Sequence, residues 1–232
     1  MQFLRHLPNI ITLSNLLMGC LGLVFASWGD LISAARCIYL AALLDFFDGF
    51  AARALNAASP IGKDLDSLAD VVSFGVLPGI LLFQLSASVP GSMGLEYVVL
   101  LLPVLSALRL ARFNHDTRQS DKFIGLPTPA SGILVASLVV WLGTANGSAR
   151  DYLSKEVIAV FSVALALFLN APLELFALKF KSFSWKENQL VYTFLLFSVF
   201  LLLTLSYLGL AFVILAYILV SAVLALFKQT SQ

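Results

Sequence analysis

The feature that most limits the fold of this chain is a succession of eight apolar stretches separated by short polar segments. A helix needs about 20 residues to cross a hydrocarbon core about 30 Å thick, and each stretch is of roughly that length. The pattern therefore predicts an all-α, polytopic membrane helix bundle that forms a single membrane domain over residues 1–232. The predicted spans are 9–28, 32–56, 60–87, 95–115, 129–147, 153–179, 188–206 and 209–227.

The composition agrees with a membrane protein and argues against a soluble one. Hydrophobic residues make up 60% of the chain, and the mean hydropathy is +0.95. Soluble domains are only about half apolar. The net charge of +1 gives no basic excess for binding nucleic acid. We therefore expect the lipid bilayer, and no nucleic acid, among the partners.

Lysine and arginine fall unevenly on the two sides of the predicted bundle. Eight spans place both termini on one side, and cytoplasmic loops of membrane proteins carry the excess of positive charge. The side that holds the termini has Arg5, Arg53, Lys63, Arg109, Arg112, Arg118, Lys122, Lys179, Lys181, Lys186 and Lys228. The other side has Arg36, Arg150 and Lys155. This asymmetry predicts a cytoplasmic membrane location with both termini and the acidic motif described next on the cytoplasmic side.

Four aspartates occur close together in a mostly apolar region. Asp45 and Asp48 are three residues apart, and Asp66 and Asp70 are four apart, so each pair shares a helix face. Residues 56–60 have a composition typical of a turn between two helices. If the helices pack as antiparallel neighbours, the carboxylates converge, and their negative charges need a compensating positive charge. Divalent cations that prefer oxygen ligands supply it. The alternative is that the acids form internal ion pairs or helix caps.

The spacing of these acids matches a known pattern. Residues 45–70 read D-x2-D-G-x2-A-R-x8-G-x3-D-x3-D, with every fixed position filled. This resembles the signature of the CDP-alcohol phosphotransferase family. The resemblance implies a six-helix core, here residues 1–182, followed by an extra C-terminal transmembrane hairpin over residues 183–232. Family members are often homodimers, so a homodimer is a further expectation.

Two other segments are similar to the phosphatidylserine synthase branch of that family. The first is P-N-x-x-T-x-x-N at residues 8–15. The second is R-F-N at residues 112–114, followed by F-x-G-L-P-x-P-A at residues 123–130. This resemblance implies transfer of a phosphatidyl group from CDP-diacylglycerol to L-serine, with release of CMP. Together the resemblances cover residues 8–132.

The resemblance also implies roles for residues of the donor half of the site. Asp45, Asp48 and Asp66 would bind two divalent cations, Mg²⁺ or Mn²⁺ with Ca²⁺ as a further candidate. Asp70 would contact the second cation and act as the general base. The predicted CDP-diacylglycerol-binding residues are Asn9, Thr12, Asn15, Asp48, Gly49, Ala52, Arg53 and Gly62. The glycines lack a Cβ and allow close approach, and an arginine can bind phosphate oxygens in two places. For the polar residues of the first span, side-chain chemistry alone fits a contact with a neighbouring helix equally well.

The sequence indicates less clearly which residues would bind the acceptor alcohol. The carboxylate of serine needs a cation, and Arg112 is the first candidate, with Arg109 and Lys122 as substitutes. Asn114 and Thr128 are expected polar partners. Glycerol 3-phosphate or inositol phosphate remains open as the acceptor, since the basic residues on the same side suit a phosphate as well. A cation transporter is a remote alternative, because acids inside a membrane also mark ion paths.

Overall fold

The computed structural model describes residues 6–115, 123–144, 153–175, 185 and 188–229. Within these residues the helices are α1 (Leu7–Ser27), α2 (Leu31–Ala54), α3 (Pro60–Asp70), α4 (Leu77–Ala87), α5 (Leu101–His115), α6 (Thr128–Thr144), α7 (Lys155–Asn170), α8 (Gln189–Leu205) and α9 (Tyr207–Gln229). A π-helical segment, Val71–Val76, joins α3 to α4, and a 3-10 helix, Leu95–Leu100, leads into α5. Two-residue strands, β1 (Phe123–Ile124) and β2 (Glu174–Leu175), pair antiparallel.

The predicted all-α, multi-pass architecture is confirmed. Three helical stretches of the described chain meet the length and hydropathy needed to cross a membrane. They are Leu7–Ser27, the continuous stretch Pro60–Ala87, and Tyr207–Leu224. Two shorter apolar helices, Thr128–Thr144 and Gln189–Leu205, accompany them. The division into residues 1–182 and 183–232 stays a prediction.

The sixth predicted span ends earlier than expected. The sequence predicted a helix through residue 179, but α7 ends at Asn170 and the next residue is extended, with φ −65° and ψ 140° at Ala171. Pro172 explains the difference, because the residue before a proline is disfavoured in the helical conformation. The chain then forms β2 instead of continuing the helix. The last turn also lies earlier than predicted, at Ser206, which has a φ of 50°.

The end of α7 is joined to the loop that precedes α6. The Gly125 amide donates to the Leu173 carbonyl at 2.9 Å, and the Leu126 amide donates to the Phe168 carbonyl at 3.1 Å. Gly125 has a φ of +76°, and a Cβ there would collide with the Leu169 carbonyl. The backbone can therefore lie against α7 only with glycine at this position.

The C-terminal hairpin, α8 and α9, packs on the core through α9. Helix α9 lies along α6, whereas α7 makes no comparable contact with either hairpin helix in the described residues. At the turn between α8 and α9, the Tyr207 ring stacks on Tyr39 of α2 with 6.2 Å between centroids. The Tyr39 hydroxyl also pairs with the Ser137 hydroxyl at 3.1 Å. The hairpin is thus attached to α2 and α6.

Close packing of α1 against the π-helical segment depends on a small residue. A Cβ added at Gly19 would lie 2.5 Å from the Ser73 hydroxyl and 3.1 Å from its Cα. The Ser73 hydroxyl donates to the Asn15 carbonyl at 3.1 Å, so the two segments are also hydrogen-bonded. Any side chain larger than hydrogen at Gly19 would force these segments apart.

We expect Gly19→Leu to destabilise the fold by about 1–3 kcal/mol, because the side chain overpacks a buried contact. The measurement is thermal unfolding in detergent. Cys20→Leu is the matched control, since Cys20 is the next residue and is exposed. Equal melting temperatures for the two variants would contradict the packing interpretation.

Candidate active site

The turn between α2 and α3 brings the two pairs of acids together. Asn56 adopts a φ of 49°, which reverses the chain just after α2. Ser59 caps α3, because its hydroxyl accepts from the Gly62 amide at 3.1 Å, and Pro60 occupies the first turn. Helix α3 therefore starts immediately beside the end of α2. The predicted acids face each other across this junction.

Three of the acids form a compact cluster. One carboxylate oxygen each from Asp45, Asp48 and Asp66 lie within 4.8 Å of one another. Asp70 lies beside this cluster, close enough to Asp45 and Asp66 for the charges to repel one another. The sequence-based prediction that the four carboxylates converge is therefore realised in the structure. Asp64, which lies outside the pattern, is exposed.

The cluster has the properties of a site for a hard cation. Asp48 and Asp70 are each only 5% exposed. One oxygen of Asp48 is buried without any hydrogen-bond partner. A buried, unpaired carboxylate is costly unless a cation compensates it, and clustered carboxylate oxygens are the ligands that Mg²⁺, Mn²⁺ and Ca²⁺ prefer. The aspartate triad could thus hold a metal ion.

Asparagine and threonine side chains of α1 support the acids from the other side. The Asn15 amide donates to Asp70 at 3.4 Å, and Asn15 is fully buried. The Thr12 hydroxyl lies within hydrogen-bond reach of Asp48 while it also donates to the Pro8 carbonyl at 3.0 Å. Both residues were predicted as contacts of a nucleotide lipid. In this structure they contact the acids directly.

A cleft of about 190 Å³ opens beside the cluster between α1, α2 and α3. Its lining includes six of the eight predicted donor-binding residues, which are Asn9, Thr12, Asp48, Gly49, Ala52 and Gly62. Asn15 lies deeper, against Asp70. The Arg53 guanidinium is 3.7 Å from where a Cβ of Gly49 would be. The predicted donor residues are thus gathered around one opening.

The two glycines of the motif act differently. A Cβ at Gly62 would lie 3.1 Å from both the Asn9 side-chain oxygen and the Ser59 hydroxyl, so glycine lets α3 approach α1. At Gly49 only the Arg53 guanidinium is near, and the missing Cβ leaves space in the cleft. Sequence reasoning missed Ser59 and Lys63, which also line the cleft. Their position next to Pro60 and Gly62 in the motif was the available signal.

The structure brings two of the predicted acceptor-binding residues together and leaves a third exposed. Arg109 is 7% exposed, and its guanidinium donates to the Thr128 hydroxyl at 2.9 Å. Its Nε has no hydrogen-bond partner among the described residues. Arg112 is exposed. Lys122 lies outside the described residues.

Asn114 is engaged in contacts between helices. Its amide donates to the Ser67 hydroxyl at 2.8 Å, and its backbone carbonyl accepts from the Lys63 ammonium at 2.7 Å. These bonds tie the end of α5 to the side of α3. Asn114 thus helps to fix α5 relative to the helix that carries Asp66 and Asp70.

The chain is similar to a known protein family over most of its length. The family model described as CDP-alcohol phosphatidyltransferase matches residues 5–170. The chain belongs to this family. Its members are enzymes, so the predicted enzymatic class and the predicted family are both confirmed, and phospholipid metabolism in a membrane is the family's setting.

Several curated relatives carry more specific names. The CDP-diacylglycerol–serine O-phosphatidyltransferase of Bacillus subtilis strain 168 is 36% identical over 135 residues, which is 58% of this chain and 76% of that protein. The protein of the same name from Helicobacter pylori strain J99 is 38% identical over 135 residues, 57% of this chain and 56% of that protein. The archaetidylserine synthase of Methanothermobacter thermautotrophicus is 36% identical, covering 56% of each chain. For the last two relatives, the alignment spans just over half of their length.

We expect Asp66→Asn to weaken Mn²⁺ binding by roughly 100-fold or more, since loss of even an outer-shell partner costs 10–100-fold. Isothermal titration of the purified protein with MnCl₂ measures this change. Asp64→Asn is the control, because it removes the same charge from an exposed position two residues away. Equal weakening by both variants would indicate a general charge effect and not a metal ligand.

Proposed function

We propose that this protein transfers the phosphatidyl group of CDP-diacylglycerol to L-serine, giving phosphatidylserine and CMP. The observation that carries the proposal is the cluster of Asp45, Asp48 and Asp66 beside a cleft lined by the motif's other residues. The names of the relatives support the choice of serine. The R-F-N and G-L-P-x-P-A segments support it independently.

The donor half of the reaction depends on the cleft between α1, α2 and α3. Asp45, Asp48 and Asp66 would hold one or two divalent cations, with Asp70 as a ligand of the second. Such ions neutralise the charge of a diphosphate leaving group. Arg53, whose guanidinium lies beside Gly49, would bind phosphate oxygens with its fork of donors. Gly49 leaves room for the nucleotide beside α2.

Asp70 is the proposed general base. Serine's hydroxyl oxygen attacks the phosphorus of the phosphatidyl group, and the bond from that phosphorus to the oxygen of CMP breaks. Asp70 takes the hydroxyl proton. Asn15 donates to the Asp70 carboxylate at 3.4 Å and holds it in position. Because Asp70 is only 5% exposed, few water molecules can compete with serine for its carboxylate.

Arg109 is the better candidate for the serine carboxylate, although sequence reasoning placed Arg112 first. Arg109 is buried between α5 and α6, whereas Arg112 is exposed. The Arg109 guanidinium has an unpartnered Nε that a carboxylate could accept from. Thr128 fixes the guanidinium by accepting a hydrogen bond from it.

Location and assembly complete the proposal. The excess of lysine and arginine at the site end of the bundle supports an active site on the cytoplasmic side of the cytoplasmic membrane, with both termini there. A homodimer stays a prediction based on the family. Acceptors other than serine are outcomes of the following test.

The test of the proposed function is an acceptor panel with purified protein, CDP-diacylglycerol and Mn²⁺ or Mg²⁺. We expect CMP release with L-serine and little with glycerol 3-phosphate or inositol phosphate. Release with a phosphorylated alcohol alone would overturn serine as the acceptor while keeping the family chemistry. No CMP release with any alcohol would overturn the transferase itself.

Asp70→Asn should abolish turnover while CDP-diacylglycerol still binds, because the amide cannot take the serine proton but keeps the size of the side chain. CMP release measures turnover, and titration with the nucleotide lipid measures binding. Asp64→Asn serves again as the exposed control. Turnover within a few-fold of wild type in Asp70→Asn would exclude Asp70 as the base.

Arg109→Gln should raise the KM for serine by at least about tenfold, since loss of one charged hydrogen bond costs about 1.5–3 kcal/mol. The KM for CDP-diacylglycerol should change far less. Arg112→Gln, three residues away and exposed, should leave the serine KM within about twofold, as surface substitutions have small effects. A raised serine KM in Arg112→Gln, with an unchanged one in Arg109→Gln, would restore Arg112 as the residue that binds the serine carboxylate.

A further inference from the structure

An apolar opening lies between the core and the C-terminal hairpin, and none of the four aspartates lines it. It is a groove of about 660 Å³. Thirteen residues of α6, α7, α8 and α9 line it, and every one is apolar. They are Leu134, Phe161, Ala164, Leu165, Phe168, Phe197, Leu201, Phe212, Leu215, Ala216, Ile218, Leu219 and Ala222.

A second apolar opening continues the first. It has about 340 Å³ and runs along α6 and α7 toward the end of the bundle opposite the acids. Phe161 lines both openings, and Trp141 and Leu153 line only the second. Along α7 the lining residues run from Val157 to Phe168, roughly 17 Å at 1.5 Å per residue. The two openings meet at Phe161 and are together called here the α6–α7 groove.

The groove lies where the hairpin leaves α7 largely uncovered. Helix α9 lies along α6, while α7 is left without a comparable contact to α8 or α9. Phe168, Phe197 and Leu219 at its margins are between 43% and 66% exposed. The groove is therefore open to the surroundings of the protein.

We propose that the α6–α7 groove binds one acyl chain of a bilayer phospholipid. In a multi-pass membrane protein the medium around these helices is hydrocarbon. Water is unstable in a purely apolar cavity, and an empty groove forfeits dispersion contacts along its whole lining. Its volume lies within the range of about 300–1,000 Å³ typical of ligand pockets. A flexible alkyl chain fits a long, narrow, apolar channel of this kind.

The groove reaches the loop that leads to the acceptor side of the site. Phe168 lines the groove, and its backbone carbonyl accepts from the Leu126 amide at 3.1 Å. Two residues later Thr128 accepts from Arg109. A chain in the groove therefore supports the segment of α7 on which this loop rests. The binding site itself does not depend on which reaction the protein catalyses.

The first experiment counts tightly held lipid on the detergent-purified full chain. Native mass spectrometry with added dioleoyl phosphatidylglycerol should show one retained phospholipid per chain after mild activation. Ala164→Phe and Ala222→Phe fill opposite walls of the groove and should reduce retention at least about fivefold, since they occupy the volume of the ligand. Cys20→Phe adds the same bulk at an exposed position on α1 and should retain the lipid. Equal retention in all three variants would overturn the proposal.

A second measurement decides the matter if the groove variants fail to fold. The chain has three tryptophans, and replacing Trp28 and Trp185 by phenylalanine leaves Trp141 in the groove as the sole reporter. Both replaced residues are more than half exposed. Phospholipid with brominated chains should quench Trp141 in a saturable way at about one lipid per chain. Quenching that rises without saturation would indicate only surrounding lipid and would overturn the proposal.

Discussion

The meeting of α2 and α3 against α1 is the contact on which the rest of the site depends. It holds four carboxyl groups together in apolar surroundings, where like charges repel and are poorly solvated. Helix packing opposes this repulsion through specific contacts: the Ser59 cap, the close approach at Gly62 and the Asn15–Asp70 hydrogen bond. One buried oxygen of Asp48 has no hydrogen-bond partner, so part of the free-energy cost of burying the carboxylates is not compensated. A bound cation would relieve that cost, so the packing that brings the carboxylates together would also favour metal binding.

The spacing of the acids was predictable because helix geometry is regular. Residues three or four apart share a face, and a turn of suitable composition can only return the chain beside itself. The donor side of the site follows from those two facts. The sequence did not show which of Arg109 and Arg112 is buried. Both lie near one face of α5, and only the packing of α6 decides between them. Thr128 accepts the hydrogen bond from Arg109. Residues 116–122 lie between the two helices in the sequence and show no helical periodicity, so this contact could not be predicted.

The π-helical segment after Asp70 was also hidden from sequence reasoning. Residues 60–87 have the hydropathy of one uninterrupted helix, and an added backbone residue leaves no trace in composition. Its consequence is rotational: one extra residue turns the following side chains by about 100° relative to an unbroken α-helix. Ser73 thereby reaches the Asn15 carbonyl, and Gly75 packs against Ser106 of α5, where an added Cβ would be 3.1 Å from the serine Cβ. Asp70 is thus anchored by contacts on both sides.

Under the proposed function the site has a donor half and an acceptor half. The donor half consists of side chains from α1, α2 and α3, and the acceptor half would contain Arg109 of α5 and Thr128 of α6. The halves are joined by a few bonds, notably those of Asn114 to Ser67 and Lys63. Selection of the acceptor alcohol would then depend on the packing of α5 and α6, because the hydrogen bond from Arg109 to Thr128 joins these two helices. Handling of the diphosphate would depend on the turn between α2 and α3, which brings the carboxylates together.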